Sequence, residues 1–345
     1  MPPSHLQGFS SMLQVIARRM RVPLLVAAAL LALPAGADTV YVTSFTTGEL
    51  ISYDSSDPTG TQTVLLPGGS LVSPGALVLG PDGNLYIGEN GDGSTFAPRI
   101  SKYEPATLTL STVYPFGSFE VFPGSLVFQG NDLLIGRNPF FSNTGPIVKL
   151  ANATGGLLAL SDYTTGGSLA SSPGLALAAD GRLYVSDQTY DFVSGIASGP
   201  VKRFDAAGTY VGEVIADGGS GLAGPTGLAI IGTTLYTASI MNGAILQTNL
   251  LTDITTAFAT TGTAFEAGSV APLSDGGLLA GSPSGTTGNI YHFGTDGTLL
   301  STFASGLGQI GGITTSAVPE PAAAQLGCGV LALAAWLIHR HGRAA

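Results

Sequence analysis

Three observations predict an all-β fold, a six-bladed β-propeller of four-stranded antiparallel blades closed by a C-terminal strand. A four-strand pattern recurs six times along the chain. The composition is charge-poor (10%) and rich in glycine (50 residues), which suits many short strands joined by tight turns better than long helices. The repeat array also begins on a second strand and ends on a spare first strand. At 345 residues the chain has room for one large β domain.

The clearest copy runs from Ser172 to Gly208. Leu175 to Ala178 alternate as a short inner strand, and Asp180-Gly181 supplies a hairpin turn. Leu183 to Ser186 (LYVS) form a second strand, Val201 to Phe204 a third and Tyr210 to Ile215 a fourth. First-strand copies start at Pro74-Gly75, Pro123-Gly124, Pro173-Gly174, Thr226-Gly227, Ala267-Gly268 and Gly311-Gly312. Counted on the second glycine or its equivalent, they lie 49, 50, 53, 41 and 44 residues apart, the spacing of single propeller blades. Second strands recur at 41–43, 85–88, 133–136, 183–186, 235–238 and 278–281, and third strands at 50–53, 100–103, 147–150, 201–204, 245–248 and 290–293. Asp-Gly turns at Asp82, Asp180, Asp275 and Asp296 fit the hairpins. The body should therefore span Asp38 to Ser316, with Gly312 to Ser316 completing the first blade and removing the free edges. No seventh copy is visible.

The two ends read as addresses. Met20-Arg21, the apolar run Val22 to Leu33 and Ala35-Gly36-Ala37 form a basic n-region, an h-region and an A-x-A cleavage site. Residues 1–37 are thus expected to be a signal peptide handled by the Sec machinery, with initiation at Met12 or Met20 as an alternative start and an uncleaved anchor as the alternative role. At the other end Val318-Pro319-Glu320-Pro321 precedes the apolar stretch 322–338, followed by Arg340 and Arg343. That stretch is long enough to span a bilayer, with the arginines staying cytoplasmic. The last 28 residues resemble the PEP-CTERM sorting signal of Gram-negative bacteria, with its Pro-Glu-Pro motif, transmembrane segment and Arg-rich end in order. The resemblance implies recognition and processing by a membrane-embedded exosortase, and delivery to the cell surface or extracellular polysaccharide matrix. An ordinary tail anchor is the alternative.

Charge narrows the partners. Five of the twelve basic residues lie in the end segments, so between Asp38 and Pro321 seven basic residues stand against 22 acidic ones. No positive face is available for nucleic acid. Cys328, the single cysteine, sits in the terminal apolar run, which excludes a disulfide framework and cysteine-based zinc sites.

The body resembles six-bladed propellers of the NHL and SMP-30/gluconolactonase type through the turns PDGNLYIGEN (81–90) and ADGRLYVSD (179–187). What this implies is fold, since the blade pattern serves many functions. Function is expected on the long loops that follow the second strand in three adjacent blades, Glu89 to Pro98, Asn138 to Pro146 and Asp187 to Pro200. They carry Glu89, Asn90, Asp92, Asn138, Asp187 and Asp191 with the aromatics Phe96, Phe140, Phe141, Tyr190 and Phe192. Carboxylates, amides and exposed rings together suit sugar rings, or a hard cation such as Ca2+ through oxygen ligands. Glu89, Asn138 and Asp187 leave the second strand at roughly equivalent points, as lactonase-type metal ligands would. They equally suit turn residues that fix the loops by side-chain to backbone hydrogen bonds. His292, the one histidine of the body, shares a repeat slot with Ser52, Lys102, Lys149, Arg203 and Gln247, which is a poor position for a general base. No nucleophile elbow, Walker loop or metalloprotease helix occurs. Two readings follow: a non-enzymatic module binding polysaccharide or another exported protein, and a metal-dependent extracytoplasmic hydrolase or lactonase.

Overall fold

The computed structural model describes residues 37–58, 61–92, 97–117, 121–138, 144–283 and 288–316. The chain divides at Gly36/Ala37, and all described residues belong to the second unit. The expected signal peptide up to Gly36, the sorting motif Val318 to Pro321, the segment 322–338, Arg340 and Arg343 lie outside the described residues, as do Phe96, Phe140 and Phe141. Among the described residues no helix is long and apolar enough to cross a membrane.

Strands β1 (Thr39–Ser44), β2 (Leu50–Asp54) and β3 (Thr63–Leu66) open the ring. The second blade is β4 (Pro74–Leu79), β5 (Leu85–Glu89), β6 (Arg99–Glu104) and β7 (Thr109–Pro115). The third is β8 (Pro123–Gln129), β9 (Asp132–Arg137), β10 (Val148–Ala151) and β11 (Ala159–Asp162). The fourth contains β12 (Leu175–Leu177) and β13 (Leu183–Ser186), then a separate hairpin, β14 (Thr189–Asp191) with β15 (Ile196–Ser198), and resumes with β16 (Val201–Phe204) and β17 (Tyr210–Ile215). The fifth is β18 (Pro225–Ile231), β19 (Thr234–Ser239), β20 (Ala244–Asn249) and β21 (Ile254–Thr260), and the sixth β22 (Ser269–Pro272), β23 (Leu278–Gly281), β24 (Ile290–Phe293) and β25 (Leu299–Ala304). The last strand, β26 (Ile310–Thr315), pairs antiparallel with β1 and gives six four-stranded sheets. The all-β six-bladed propeller expected from the repeats is the fold observed.

Closure is tied beyond the strand ladder. Ser316 N–H donates to the Thr39 carbonyl (2.9 Å) and Thr39 N–H to Ser316 Oγ (2.8 Å). Across the seam to the sixth blade, Ser274 N–H donates to Asp38 Oδ2 (2.8 Å) and Thr315 Oγ1 to the Pro272 carbonyl (2.7 Å). Joining the chain ends this way covers the inner edge of the first blade and the unpaired groups it would otherwise expose.

Burial grades outward. β5, β13 and β23 are buried at every residue because each lies inside its blade and packs against a neighbouring blade on both faces. That is why their sequences, LYIGE, LYVS and LLAG, open on consecutive apolar residues instead of alternating with polar ones. The outermost β7 and β21 are largely exposed. The core sits between blades: Val40, Val42 and Tyr53 pack with Leu279, Ile290 and Phe303 across the seam.

The Asp-Gly turns differ in detail from simple two-residue hairpins. In the fourth blade Gly181 N–H returns to the Ala178 carbonyl and Ala178 N–H bonds the Arg182 carbonyl, which makes a three-residue loop. Only the glycine takes the left-handed conformation (φ 84°), while Asp180 Oδ1 accepts the Arg182 N–H (3.0 Å). This is a type I turn with a G1 bulge. The same aspartate bond recurs at Asp82, Asp275 and Asp296.

The glycine that opens each innermost strand has a different reason. None of Gly75, Gly174, Gly227 or Gly311 has a positive φ. A Cβ on Gly174 would overlap the Thr226 carbonyl of the next blade, one on Gly311 the Pro74 carbonyl, and one on Gly227 would lie 2.7 Å from the Gly268 carbonyl oxygen. The blades approach backbone to backbone at this end of the ring. Gly174→Ala is therefore expected to cost about 3 kcal/mol, at the upper end for overpacking. Gly219→Ala, whose Cβ would meet Ile215 Cγ2 at an ordinary 3.6 Å, should stay within about 0.5 kcal/mol. Denaturant midpoints of the two variants check this, and equal midpoints would contradict it.

Candidate functional site

Aligned by strand, the residue that leaves the second strand is Ser44, Glu89, Arg137, Asp187, Ser239 or Ser282 in the six blades. The sequence placed Asn138 in this series; the structure corrects that by one residue, because Arg137 ends β9 and Asn138 follows it. Asn138 instead shares its position with Asn90 and Gln188, so three buried amides follow one another in adjacent blades.

Glu89 is fully buried. Arg99 grips it bidentately, Nε to Oε1 at 2.8 Å and Nη2 to Oε2 at 2.7 Å, and Ser101 Oγ donates to Oε1. The Val72 N–H of the incoming inter-blade loop donates to Oε2 (2.7 Å). The guanidinium is raised above its ordinary pKa, chiefly by the hydrogen bonds it donates to the buried carboxylate. Asp187 repeats the plan: Oδ1 accepts the Ala170 N–H (2.7 Å) and Oδ2 the Lys202 ammonium (2.5 Å), which also reaches the Ser168 carbonyl (2.7 Å). In the fifth blade Ser239 Oγ accepts the corresponding Ala223 N–H (2.8 Å). The acid and the serine thus do one job, satisfying a backbone donor of the loop that leads to the inner strand.

The amides staple the same loops. Asn90 Nδ2 donates to the Ser73 carbonyl (3.1 Å) and Gln188 Nε2 to Pro225 of the next blade (2.9 Å), while Asn138 N–H donates to Phe122 (2.8 Å). Asn90 Oδ1 is buried without a partner. Asp92 is exposed beside the buried Gly91.

The third loop holds what the sequence did not show. Residues 187–200 carry the β14–β15 hairpin, where Asp191↔Ile196 and Thr189↔Ser198 pair. Asp191 builds the tip: Oδ1 accepts the Val193 N–H (2.9 Å), Oδ2 the Ser194 hydroxyl (2.6 Å), and its carbonyl the Gly195 N–H (2.8 Å). The Ser194 bond, then the backbone N–H of Val193, holds the carboxyl below its usual pKa. Tyr190 and Phe192 meet edge to face at 4.9 Å and 76°. The hairpin foot is fixed by Gly199 N–H to Asp217 Oδ1 (2.8 Å) and by the buried Ala197.

A central channel of about 980 Å3 runs between the six inner strands. Its lining is Gly, Ala, Val, Leu, Ile, Phe, Pro, Ser and Thr, with no ionisable side chain among the lining residues. Among the described residues no three of His, Cys, Asp and Glu cluster closely enough to hold a metal. A divalent cation at Glu89 or Asp187 would have to displace Arg99 or Lys202, so these residues do not fit a lactonase-type centre. Both carboxylates have their oxygens filled by internal donors, whereas calcium needs six or more oxygen ligands. His292 pairs with Leu279 in the slot its repeat predicts, and its Nε2 is buried without a partner.

No protein-family model and no curated protein matches the sequence. Solved structures do share the fold. A chain of a nidogen/laminin complex superposes with TM-score 0.63 at 12% identity, covering 82% of this chain and 99% of that one. TolB of Acinetobacter baumannii gives 0.57 at 13%, covering 84% and 70%. A candidate 6-phosphogluconolactonase of Bacteroides uniformis gives 0.53 at 19%, covering 79% and 83%. At these identities the likeness shows the propeller fold.

If Asp187 is a staple whose charge Lys202 neutralises, Lys202→Met leaves a buried carboxylate unpaired. The side chains are 11% and 9% exposed. The expected loss is about 3 kcal/mol, the low end for breaking a buried pair. Replacing both residues, Asp187→Ser with Lys202→Met, should recover most of it because Ser239 shows that a hydroxyl suffices. A double variant as unstable as the single one would contradict the staple role.

Proposed function

We propose that this protein is an exported, non-enzymatic six-bladed propeller of a Gram-negative bacterium, bound for the cell surface or extracellular matrix. There its long-loop face binds polysaccharide or another exported protein. The observation that carries the reading is the β14–β15 hairpin, an ordered projection with Tyr190 and Phe192 side by side on a rigid scaffold. The neighbouring carboxylates Glu89 and Asp187 are committed to internal ion pairs, and the channel offers no acid or base. The hydrolase reading has the shared fold in its support, and fold does not carry function.

The terminal segments supply the address. Sec export would deliver the body, and an exosortase acting at Val318-Pro319-Glu320-Pro321 would release it from the segment 322–338 and the trailing Arg340 and Arg343. Expression of the full chain in an exosortase-bearing host, followed by fractionation, tests both parts together. The wild type is expected in the extracellular polysaccharide fraction. Joining Gln188 directly to Gly199, whose neighbours Asp187 and Pro200 are already hydrogen-bonded (3.0 Å), should free it into the medium. Replacing Pro319, Glu320 and Pro321 by alanine should retain it in the envelope. A trimmed protein that stays with the polysaccharide would overturn the binding face, and one with the altered tail that still reaches the matrix would overturn the sorting route.

A further inference from the structure

The β14–β15 tip combines exposure with order. Val193 is 98% exposed and Phe192 59%, two large apolar side chains adjacent at the tip, while Ile196 stands across from Asp191 on the other face of the hairpin. Single exposed hydrophobics are ordinary; an adjacent pair on an ordered projection, backed by a second ring, marks a contact surface. The Asp191 turn and the Tyr190 ring hold Phe192 in place, so little side-chain freedom remains to be lost on binding.

Charge then selects the partner. Six of the seven basic residues of the body are ion-paired: Arg99 with Glu89, Lys102 with Glu104, Lys149 with Asp132, Arg182 with Asp180, Lys202 with Asp187 and Arg203 with Asp253. The seventh, Arg137, donates to the Pro146 carbonyl (3.0 Å). A uronate, a sulfated sugar or an anionic lipid headgroup would meet a strongly acidic body whose cations are already engaged. Glu89 and Asp187, the acids at the exits of the second strands, are engaged too. What fits an apolar tip with an aromatic pair and no free cation is the C–H face of a pyranose ring, apolar on its face and polar at its rim.

We infer that the β14–β15 hairpin stacks, through Phe192 supported by Tyr190, on the sugar rings of an uncharged polysaccharide, and does so without calcium. The inference rests on the binding-module reading of the long-loop face. Val193, next to Phe192 at the tip, widens the apolar contact, and the Asp191–Ser194 turn supplies the polar rim.

The test is cosedimentation of the purified full chain, in mild non-ionic detergent, with cellulose, a β-1,3-glucan and chitin as neutral probes. Calcium alginate beads serve as the anionic probe, phosphatidylcholine vesicles as the lipid control and the host's own extracellular polysaccharide as reference. Retention on at least one neutral polymer, unchanged by EDTA or raised salt, is expected. Phe192→Ala should weaken it about tenfold, roughly the free energy of one aromatic contact, and Phe192→Trp should restore it. Because the side chain is exposed, the alanine variant should fold as the wild type, and an unchanged melting temperature checks that. Retention on alginate alone, loss in EDTA, or pelleting with vesicles but no polymer would overturn the inference. So would unaltered binding by a folded Phe192→Ala protein. Binding to the host polysaccharide without any neutral probe would overturn the ligand class and leave the binding face standing. No retention on any polymer would overturn both.

Discussion

Six wedge-shaped blades can meet around one axis only where their backbones come close, and that contact governs the rest of the molecule. The glycines that open the inner strands make it possible: at Gly174 and Gly311 the space for a Cβ is filled by a carbonyl oxygen of the adjacent blade. Once the inner strands converge, the second strands of the second, fourth and sixth blades are buried at every residue, Glu89 included, and the hydrophobic core forms between blades instead of within them. The ring also needs an end, which β26 supplies by pairing with β1. Closed in this way, the scaffold leaves its loops free to vary.

That freedom shows at the exit from the second strand. One geometric position carries serine, glutamate, arginine, aspartate, serine and serine around the ring, and in the second, fourth and fifth blades its side chain holds the loop entering the inner strand. Where the blade uses an acid, burial demands a counter-charge, and the third strand provides it: Arg99 sits opposite Glu89 in the β5–β6 ladder, and Lys202 enters β16 beside Asp187. Acids clustered near a propeller mouth look like metal ligands in one dimension. In three dimensions their oxygens already have donors, and the variable chemistry of this face moves outward to the hairpin.

The fold was largely legible because repetition does the work: the same turn, strand and turn recur, and the missing first strand at one end is matched by the spare one at the other. The slot of His292 was legible for the same reason. The site was less so. Placing Asn138 in register with Glu89 failed because both strands run one residue past the repeated motif, 85–88 and 133–136, which sets Arg137 and not Asn138 level with Glu89. Glu89 and Arg99 could have been paired by reading the loop as a hairpin connection, since they are direct cross-strand neighbours. The β14–β15 hairpin was hidden because its strands are only three residues long, below any periodic signal, and its turn depends on Asp191 bonding its own backbone. Loop contacts such as Ala170 to Asp187 come from blade geometry and leave no local trace.

The account's central claim is that the ligand lies on the outer hairpin and not in the channel or at the buried acids. Hydrogen–deuterium exchange of the full chain, with and without the host's extracellular polysaccharide, tests it most directly. Protection on polysaccharide binding confined to residues 187–200 is the predicted result, with the inner strands β4, β8, β12, β18, β22 and β26 unchanged. Protection of those inner strands, or of the loop after Glu89, with none at the hairpin would contradict it.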